Sequence, residues 1–301
     1  MKAVKDQAEK LWHVSNVFKI PGQEKLAKVL TDATGLDEVF FTNSGAEAIE
    51  CAIKTARKYH WANGAPERID IIGFDGSFHG RTLAAVNASG NAAYLEGFGP
   101  RMPGFVQLPF GDMEALKAAV GPTTAAIIVE PVQGEGGARA LTEQQLQQMR
   151  QLCDETGALL ATADAAKGMT VGSHGSTYGG NPLAMAVALA SMEELSKPEL
   201  MDHVRELAGY FTQQFNGLKD RYPDVVLDIR GKGLLIGLKL ATNNREFMQH
   251  ARDQHLLVAG GGDNCVRLLP PLTLTLEEAR EAVEKLERAC ETARAKAKAA
   301  A

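Results

Sequence analysis

The chain has 301 residues, of which 45% are hydrophobic and 23% charged, and its formal net charge is −5. This length suffices for a full core and for two lobes, at roughly 100–200 residues per domain. The sequence has neither the basic stripe that nucleic acid requires nor an apolar run long enough to cross a membrane. Its cysteines (Cys51, Cys153, Cys265 and Cys290) lack paired spacing, which is typical of reduced thiols, so we expect a cytoplasmic protein.

Short apolar runs alternate with helical periodicity over the first two thirds of the chain, which predicts βαβ units and a mostly parallel sheet. The predicted strands cover residues 38–42, 69–74, 105–109 and 125–132. Helices are predicted at 142–157 and at 181–196, and the second is so apolar that we expect it to be buried or at a subunit interface. From about Lys197, an amphipathic helix, several short strands and a final helix predict a smaller α+β lobe. We therefore expect a large domain at 1–196 and a small domain at 197–301.

The stretch FFTNSGAEA (40–48) ends a predicted strand and begins a helix. Ser44 can cap that helix, and Glu47 lies three residues on, the spacing of a capping box. Gly45 and Ala46 leave the first backbone N–H groups open, so an anion can bind at the positive end of the helix dipole. An ordinary capped helix without a ligand explains the same residues.

The loop DGSFHGRT (75–82) follows a predicted strand, where α/β folds place ligands. Phe78 could stack on a planar cofactor, and Arg81 could bind a carboxylate; His79 lies between them. The alternative is a tight turn with a buried phenylalanine and a surface arginine.

Two further stretches carry charged groups in apolar surroundings. Glu130 and Glu135 belong to EPVQGEGGAR (130–139), at the carboxyl end of the most apolar predicted strand, where substrates bind or salt bridges form. Arg267 lies in the strand of CVRLLPPL (265–272) and needs a carboxylate from the protein or from a ligand.

A glycine-flanked loop, HGSTYGGNPLA (174–184), leads into the very apolar predicted helix. The hydroxyls of Ser176 and Thr177 suit a phosphate oxygen. A glycine-rich connector with a helix cap is the alternative.

In this order, the motifs resemble those of the class III (ornithine/acetylornithine-type) aminotransferases, which are pyridoxal phosphate enzymes of fold type I, and the likeness is greatest to the acetylornithine type. The resemblance implies a homodimer that transfers an amino group from N2-acetylornithine, or a related ω-amine, to 2-oxoglutarate in arginine metabolism. It implies that the large domain binds the cofactor through Ser44, Gly45, Ala46, Phe78, His79 and Thr177. It assigns the substrate to Arg81, Glu130, Glu135, Ser176 and Arg267, with Ser176 and Thr177 serving a site across the dimer interface.

The cofactor's chemistry requires a Schiff-base lysine and a carboxylate at the pyridine nitrogen. The family carries both between segments that resemble ETGALL and LATADAAKG, and here those segments are joined near 158–163. The chain also begins inside the family's usual start. Lys167 is the one lysine between Lys117 and Lys197, but it matches an ordinary polar position of the family. The sequence therefore predicts an impaired aminotransferase. One alternative is a non-catalytic relative that binds a phosphorylated ligand or a partner subunit. The other is a structural remnant without a ligand.

Overall fold

The structure is a computed structural model that describes residues 1–156, 163–166 and 168–300, with only the backbone described at 163, 164 and 300. The chain groups into two compact units. The first contains Met1–Asp75, His79–Val129 and Glu143–Ser196, and the second contains Gly76–Phe78, Glu130–Thr142 and the chain from Lys197 onward. The shortening predicted near 158–163 falls largely outside the described residues, and the division into domains at 196 and 197 stays a prediction.

The first unit is built on a parallel sheet. Its strands are β1 (Asp70–Phe74), β2 (Phe105–Leu108) and β3 (Thr124–Ile127), in the order β2-β1-β3. Its described helices are α1 (Lys2–Ala8), α2 (Pro21–Thr34), α3 (Gly45–Ala62), α4 (Leu83–Ser89), α5 (Ala92–Leu95), α6 (Met113–Ala119), α7 (Glu143–Thr156), α8 (Ala163–Ala166) and α9 (Pro182–Leu195). The parallel arrangement confirms the predicted α/β class.

Strand β1 is the centre of this sheet because its sequence, DIIGF, suits burial on both faces. Ile71, Ile72 and Phe74 are at most 2% exposed. Helices α3 and α4 cover β1, and Gly73 permits the close approach of α4, since a Cβ there would lie 2.6 Å from the backbone oxygen of Ala88. The carboxyl end of β1 leads directly into the loop 75–82.

Two expectations for the first unit need correction. The stretch 38–42 is irregular and partly exposed, not a buried strand. Apolar composition favours extended backbone, but a strand also needs a hydrogen-bonding neighbour, and none of the described strands pairs with this stretch. The predicted strand 125–132 is shorter than expected: β3 ends at Ile127, and Val132–Gln133 forms a separate strand, β4.

The second unit contains two antiparallel sheets. Strand β4 pairs with β5 (Arg139–Ala140), and a four-stranded sheet has the order β6-β7-β9-β8. Those strands are β6 (Val226–Lys232), β7 (Leu235–Leu240), β8 (Ala259–Gly261) and β9 (Cys265–Leu268), with helices α10 (Pro198–Arg221), α11 (Asn244–Asp253) and α12 (Leu276–Ala300). Phe211, Phe215, Leu238 and Leu286 lie in its core. The four-stranded sheet and its helices form the α+β lobe that was predicted.

No described helix is both long enough and apolar enough to cross a bilayer.

Candidate functional site

Helix α3 begins at a well-formed cap. The Ser44 hydroxyl accepts the backbone N–H of Glu47 at 3.3 Å, as the capping-box spacing predicts. The Glu47 carboxylate reaches one residue further back than expected and accepts the backbone N–H of Asn43 at 2.8 Å. That hydrogen bond lowers the pKa of Glu47 despite the opposing effect of desolvation, so the carboxylate stays charged at neutral pH.

The first amides of α3 are open to a ligand. Among the described residues, the hydrogen bonds include no acceptor for the backbone N–H groups of Gly45 and Ala46. A Cβ built at Gly45 would meet no atom within 4 Å, so space lies above this turn. Open N–H groups at the positive end of a helix dipole suit an anion such as phosphate.

The loop after β1 packs against this helix start. A Cβ at Gly80 would lie 2.7 Å from the Cβ of Ala46, so glycine permits the contact. His79 is 5% exposed, its backbone N–H donates to Ser89 Oγ at 3.0 Å, and burial lowers its pKa to about 4. Its Nε2 has no hydrogen-bond partner within the described part of the chain. Arg81 stacks on Tyr94 with its guanidinium carbon 3.8 Å from the ring centroid.

The loop that carries Ser176 and Thr177 also reaches the start of α3. Asn43 Nδ2 donates to Ser176 Oγ at 2.9 Å, and Ser176 Oγ donates to Glu47 at 3.3 Å. A cavity of about 560 Å³ is lined by Thr42, Asn43, Glu47, Glu50, Lys54, His174, Gly175, Ser176, Thr177 and Tyr178. In it, Lys54 Nζ lies 2.8 Å from His174 Nδ1, and the pKa of His174 is lowered by desolvation and by Lys54.

The remaining predicted residues belong to the second unit, where Glu130 fixes the backbone of Phe78. The backbone N–H of Phe78 donates to Glu130 Oε2 at 2.8 Å. Burial raises the pKa of Glu130, and this hydrogen bond opposes the rise. Sequence reasoning missed Gln133, which is fully buried, donates to Ser77 Oγ at 3.0 Å and accepts from Arg139 at 2.6 Å. A glutamine directly after the apolar predicted strand 125–132 was the available signal.

Arg267 has a protein carboxylate as its partner. Its Nη2 lies 2.9 Å from Glu135 Oε1, and its Nε donates to the backbone oxygen of Gly260 at 3.0 Å. The side chain of Arg267 is 13% exposed and that of Glu135 is 45% exposed. The more exposed end of the pair is therefore the carboxylate, while the arginine lies on β9 and is held by its hydrogen bond to Gly260 of β8.

The predicted site residues are thus divided between the two units. The first unit contains Ser44, Gly45, Ala46, His79, Arg81, Ser176 and Thr177, and the second contains Phe78, Glu130, Glu135 and Arg267. Lys167 lies outside the described residues. Asn43, Lys54 and His174 were not assigned a role from the sequence, although Asn43 and His174 stand inside the quoted motifs.

Comparisons with known proteins identify the family. The pattern described as Aminotransferase class-III matches residues 1–164 and 157–290. "Acetylornithine aminotransferase 2" of Caulobacter vibrioides is 60% identical, over 99% of this chain and 85% of that protein. "Acetylornithine aminotransferase" of Agrobacterium fabrum is 50% identical, over 98% of this chain and 85% of that protein.

Comparison with solved structures gives the same family. The ornithine aminotransferase of Toxoplasma gondii, described with partial occupancy of PLP at its active site, superposes with a TM-score of 0.92 at 26% identity, over 99% of this chain and 82% of that one. The acetylornithine aminotransferase of Elizabethkingia anophelis gives 0.82 at 25% identity, over 97% and 84%. These neighbours are pyridoxal phosphate enzymes of fold type I, so the predicted fold is confirmed.

The relatives also contain a segment that this chain lacks. The alignment with the Caulobacter protein extends over 345 positions, whereas 99% of 301 residues is about 298, so about 47 positions of that relative face no residue here. The two family matches meet at residues 157–164, and we place the gap at that junction.

Class III aminotransferases depend on pyridoxal phosphate, and the residues of this chain fit that group in part. The open amides of Gly45 and Ala46 suit its phosphate. The family match and the 60% identity to a relative, over 99% of this chain, show that the chain belongs to the class III aminotransferases.

Proposed function

We propose that this protein is an acetylornithine-type aminotransferase chain that binds pyridoxal phosphate and an ω-amino donor but turns over slowly. The amino donor is N2-acetylornithine or a related ω-amine, and the acceptor is 2-oxoglutarate, in arginine metabolism. The 50–60% identical relatives are acetylornithine aminotransferases, which supports this substrate class. We further propose a cytoplasmic homodimer, as the resemblance implies.

The Glu135–Arg267 pair is the structural observation that carries the substrate proposal. A guanidinium held at 13% exposure requires a carboxylate partner, because an unpaired charge there would be costly. Glu135 is half exposed and can move into water when a substrate carboxylate takes its place. Such an exchange of one carboxylate for another keeps the arginine paired, and a bidentate contact fixes the orientation of the donor.

Other residues bind and orient the cofactor and the substrate in this proposal. The amides of Gly45 and Ala46, capped by Ser44, bind the cofactor phosphate, and Thr177 adds a hydroxyl across the dimer interface. Phe78 contacts the pyridine ring, and Glu130 supports it by accepting its backbone N–H. Buried His79 lines the same loop, and Arg81 binds a second carboxylate. When bound, the cofactor supplies an electron sink for the carbon that loses its amino group.

Turnover is impaired because the segment that carries the family's lysine has no counterpart here. Without that amine, no side chain at the matching position moves the proton between the substrate carbon and the cofactor. Lys167 is the lysine nearest to the junction in sequence, and we assign it no role unless a covalent adduct maps to it.

The test combines cofactor binding, turnover and covalent trapping on the full chain. We expect pyridoxal phosphate to bind saturably. Glutamate should form from N2-acetylornithine and 2-oxoglutarate about 10²–10⁴-fold more slowly than with the Caulobacter relative. Borohydride reduction should leave no specific adduct. Turnover equal to that of the relative, or an adduct at Lys167, would show that the chain is not impaired.

A second candidate is a non-catalytic relative that binds a phosphorylated ligand or a family partner. The gap of about 47 positions favours it, since the binding motifs remain on both sides of the junction. Binding of inorganic phosphate or of a partner subunit without any amino transfer would select this function, and the absence of a cooperative melt would indicate a structural remnant.

A further inference from the structure

We infer that Asn43, Glu47 and Ser176 form a lock that holds the Thr177 loop against the start of α3, so that the Thr177 hydroxyl keeps the position from which it reaches the phosphate across the dimer interface. We call these three residues the Asn43 lock. The inference deepens the proposed function and rests on it, because it concerns the loop whose Thr177 hydroxyl is proposed there to bind the cofactor phosphate. It assigns Ser176 to positioning and leaves Thr177 as the hydroxyl that binds.

The lock is a closed ring of hydrogen bonds. Asn43 Nδ2 donates to Ser176 Oγ at 2.9 Å and to Glu47 Oε2 at 3.0 Å, and Ser176 Oγ donates to the same Oε2 at 3.3 Å. Two segments more than 120 residues apart in sequence are joined in this way. Glu47 also accepts the backbone N–H of Asn43, so the lock and the cap of α3 share one carboxylate.

The number of hydrogen bonds that the Ser176 hydroxyl can make determines its role. A hydroxyl has one donor and two acceptor positions. Ser176 Oγ donates to Glu47 and accepts from Asn43 Nδ2 and from the backbone N–H of Gly179 at 3.2 Å. All three positions are used inside the protein, so this hydroxyl has none left for a phosphate oxygen.

Charge excludes Glu47 from direct contact with phosphate. The pKa of Glu47 is lowered by the N–H of Asn43, with smaller contributions from Asn43 Nδ2 and Ser176. A carboxylate that stays ionised repels a phosphate dianion, and its value at this place is that it accepts several hydrogen bonds. Glu47 is therefore a structural acceptor that holds the two segments together.

The loop is also fixed on its other side. Asn16 Nδ2 donates to the backbone oxygen of Ser176 at 2.7 Å, and Gln23 Nε2 donates to that of Gly180 at 2.9 Å. A Cβ at Gly179 would lie 2.2 Å from the backbone oxygen of Phe41, which shows how closely the loop follows the chain before α3. Thr177, held between these contacts, lines the same cavity as Asn43 and Glu47.

The test compares a phosphorylated ligand with its unphosphorylated counterpart. In Ser176→Ala, we expect the Kd for pyridoxal phosphate to rise about tenfold, as for the loss of roughly one hydrogen-bonded constraint, and the Kd for pyridoxal to stay within twofold. Ser176→Thr, which keeps the hydroxyl, should restore most of the affinity. Ser173→Ala removes a nearby hydroxyl that contacts Thr170 and should change neither Kd.

A cycle with Asn43→Ala separates the lock from simple loss of folding. Because the three residues act as one unit, the double variant Asn43→Ala/Ser176→Ala should weaken pyridoxal phosphate no more than the stronger single variant does. If Ser176→Ala does not melt cooperatively, Asn43→Ala carries the same ligand comparison.

The outcomes distinguish the two proposals. If the unchanged protein binds no pyridoxal phosphate, the proposed function fails. If it binds and Ser176→Ala binds equally well, or loses both ligands equally, or if the two substitutions add independently, the inference of the lock is overturned.

Discussion

Polar side chains around the start of α3 differ in how fully they are hydrogen-bonded, and the side chain of His79 is the most informative. The side chains of Glu47 and Ser176 each have several hydrogen bonds, and the Ser44 hydroxyl accepts the N–H of Glu47. His79 is nearly as buried as a core residue, yet its Nε2 has no partner in the described chain. A buried, unpaired imidazole nitrogen is costly to protonate, so His79 should affect stability through pH.

Replacing His79 tests this effect directly. The folded pKa of about 4 lies below the unfolded value, so as pH falls from 6.5 the unfolded chain binds a proton first and stability is lost down to about pH 4. His79→Asn should flatten this dependence by up to about 1 kcal/mol per pH unit. The measurement is the free energy of urea unfolding at several pH values between 4 and 7.5.

The matched control is His255→Asn. His255 is exposed and has φ 58°, which asparagine tolerates, so the control should keep the original slope. The pKa values of His60 and His250 are also lowered by burial, so some dependence remains in every variant. Equal slopes for His79→Asn and the unchanged chain would contradict the prediction.

At the scale of elements, the site depends on how closely the loop after β1 approaches α3. Gly80 has φ +119°, and the absence of a side chain lets the loop lie on Ala46. The loop then has a defined place beside the open amides of the helix. The contact is therefore part of the proposed phosphate-binding geometry.

Gly80→Ala tests that contact. The new methyl group would overlap Ala46, so we expect a loss of about 1–3 kcal/mol beyond the backbone cost of a positive φ. Gly64→Ala supplies the control, because Gly64 also has a positive φ of +80° but a Cβ there would meet no atom within 4 Å. Adding Ala46→Gly to Gly80→Ala should recover part of the loss. Chemical unfolding of the three variants and the unchanged chain would show equal losses at 64 and 80 if the contact is unimportant.

Local sequence predicts these elements well where one physical signal dominates. The run IDIIGF predicts β1 because it suits burial on both faces, and Ser44 predicts the start of α3 because a hydroxyl satisfies its free amides. The strand predicted at 38–42 is wrong because a strand forms only where a neighbouring strand pairs with it, whatever its composition. The Asn43–Ser176 contact joins distant segments, so sequence spacing gave no sign of it.

For the whole molecule, the question is whether the family fold without its missing segment retains binding but loses turnover. The alignment with the Caulobacter protein gives the size of the gap, and the meeting of the two family matches places it at residues 157–164. The parallel sheet of the first unit and the core of the second are both present in the described chain. We therefore propose that ligand binding persists in this chain while turnover is lost.

Restoring the segment tests this separation of binding from turnover. We expect insertion of the corresponding segment of about 47 residues from the Caulobacter relative, placed at the junction 157–164, to raise amino transfer by about 10²–10⁴-fold. The reason is that the segment returns an amine that can both bind the cofactor and move the proton. Borohydride trapping with peptide mapping should place an adduct on the inserted lysine.

Two controls decide what the gain means. A Gly/Ser insert of equal length changes the spacing but supplies no functional group, and the same segment with its lysine replaced by alanine supplies every strand and helix except the amine. If turnover rises only with the complete segment, the chain had kept a competent binding framework and lacked the chemical centre. A gain with the alanine segment would mean instead that the missing structure, and not the missing amine, limits the protein, and the proposed cause of impairment would be wrong.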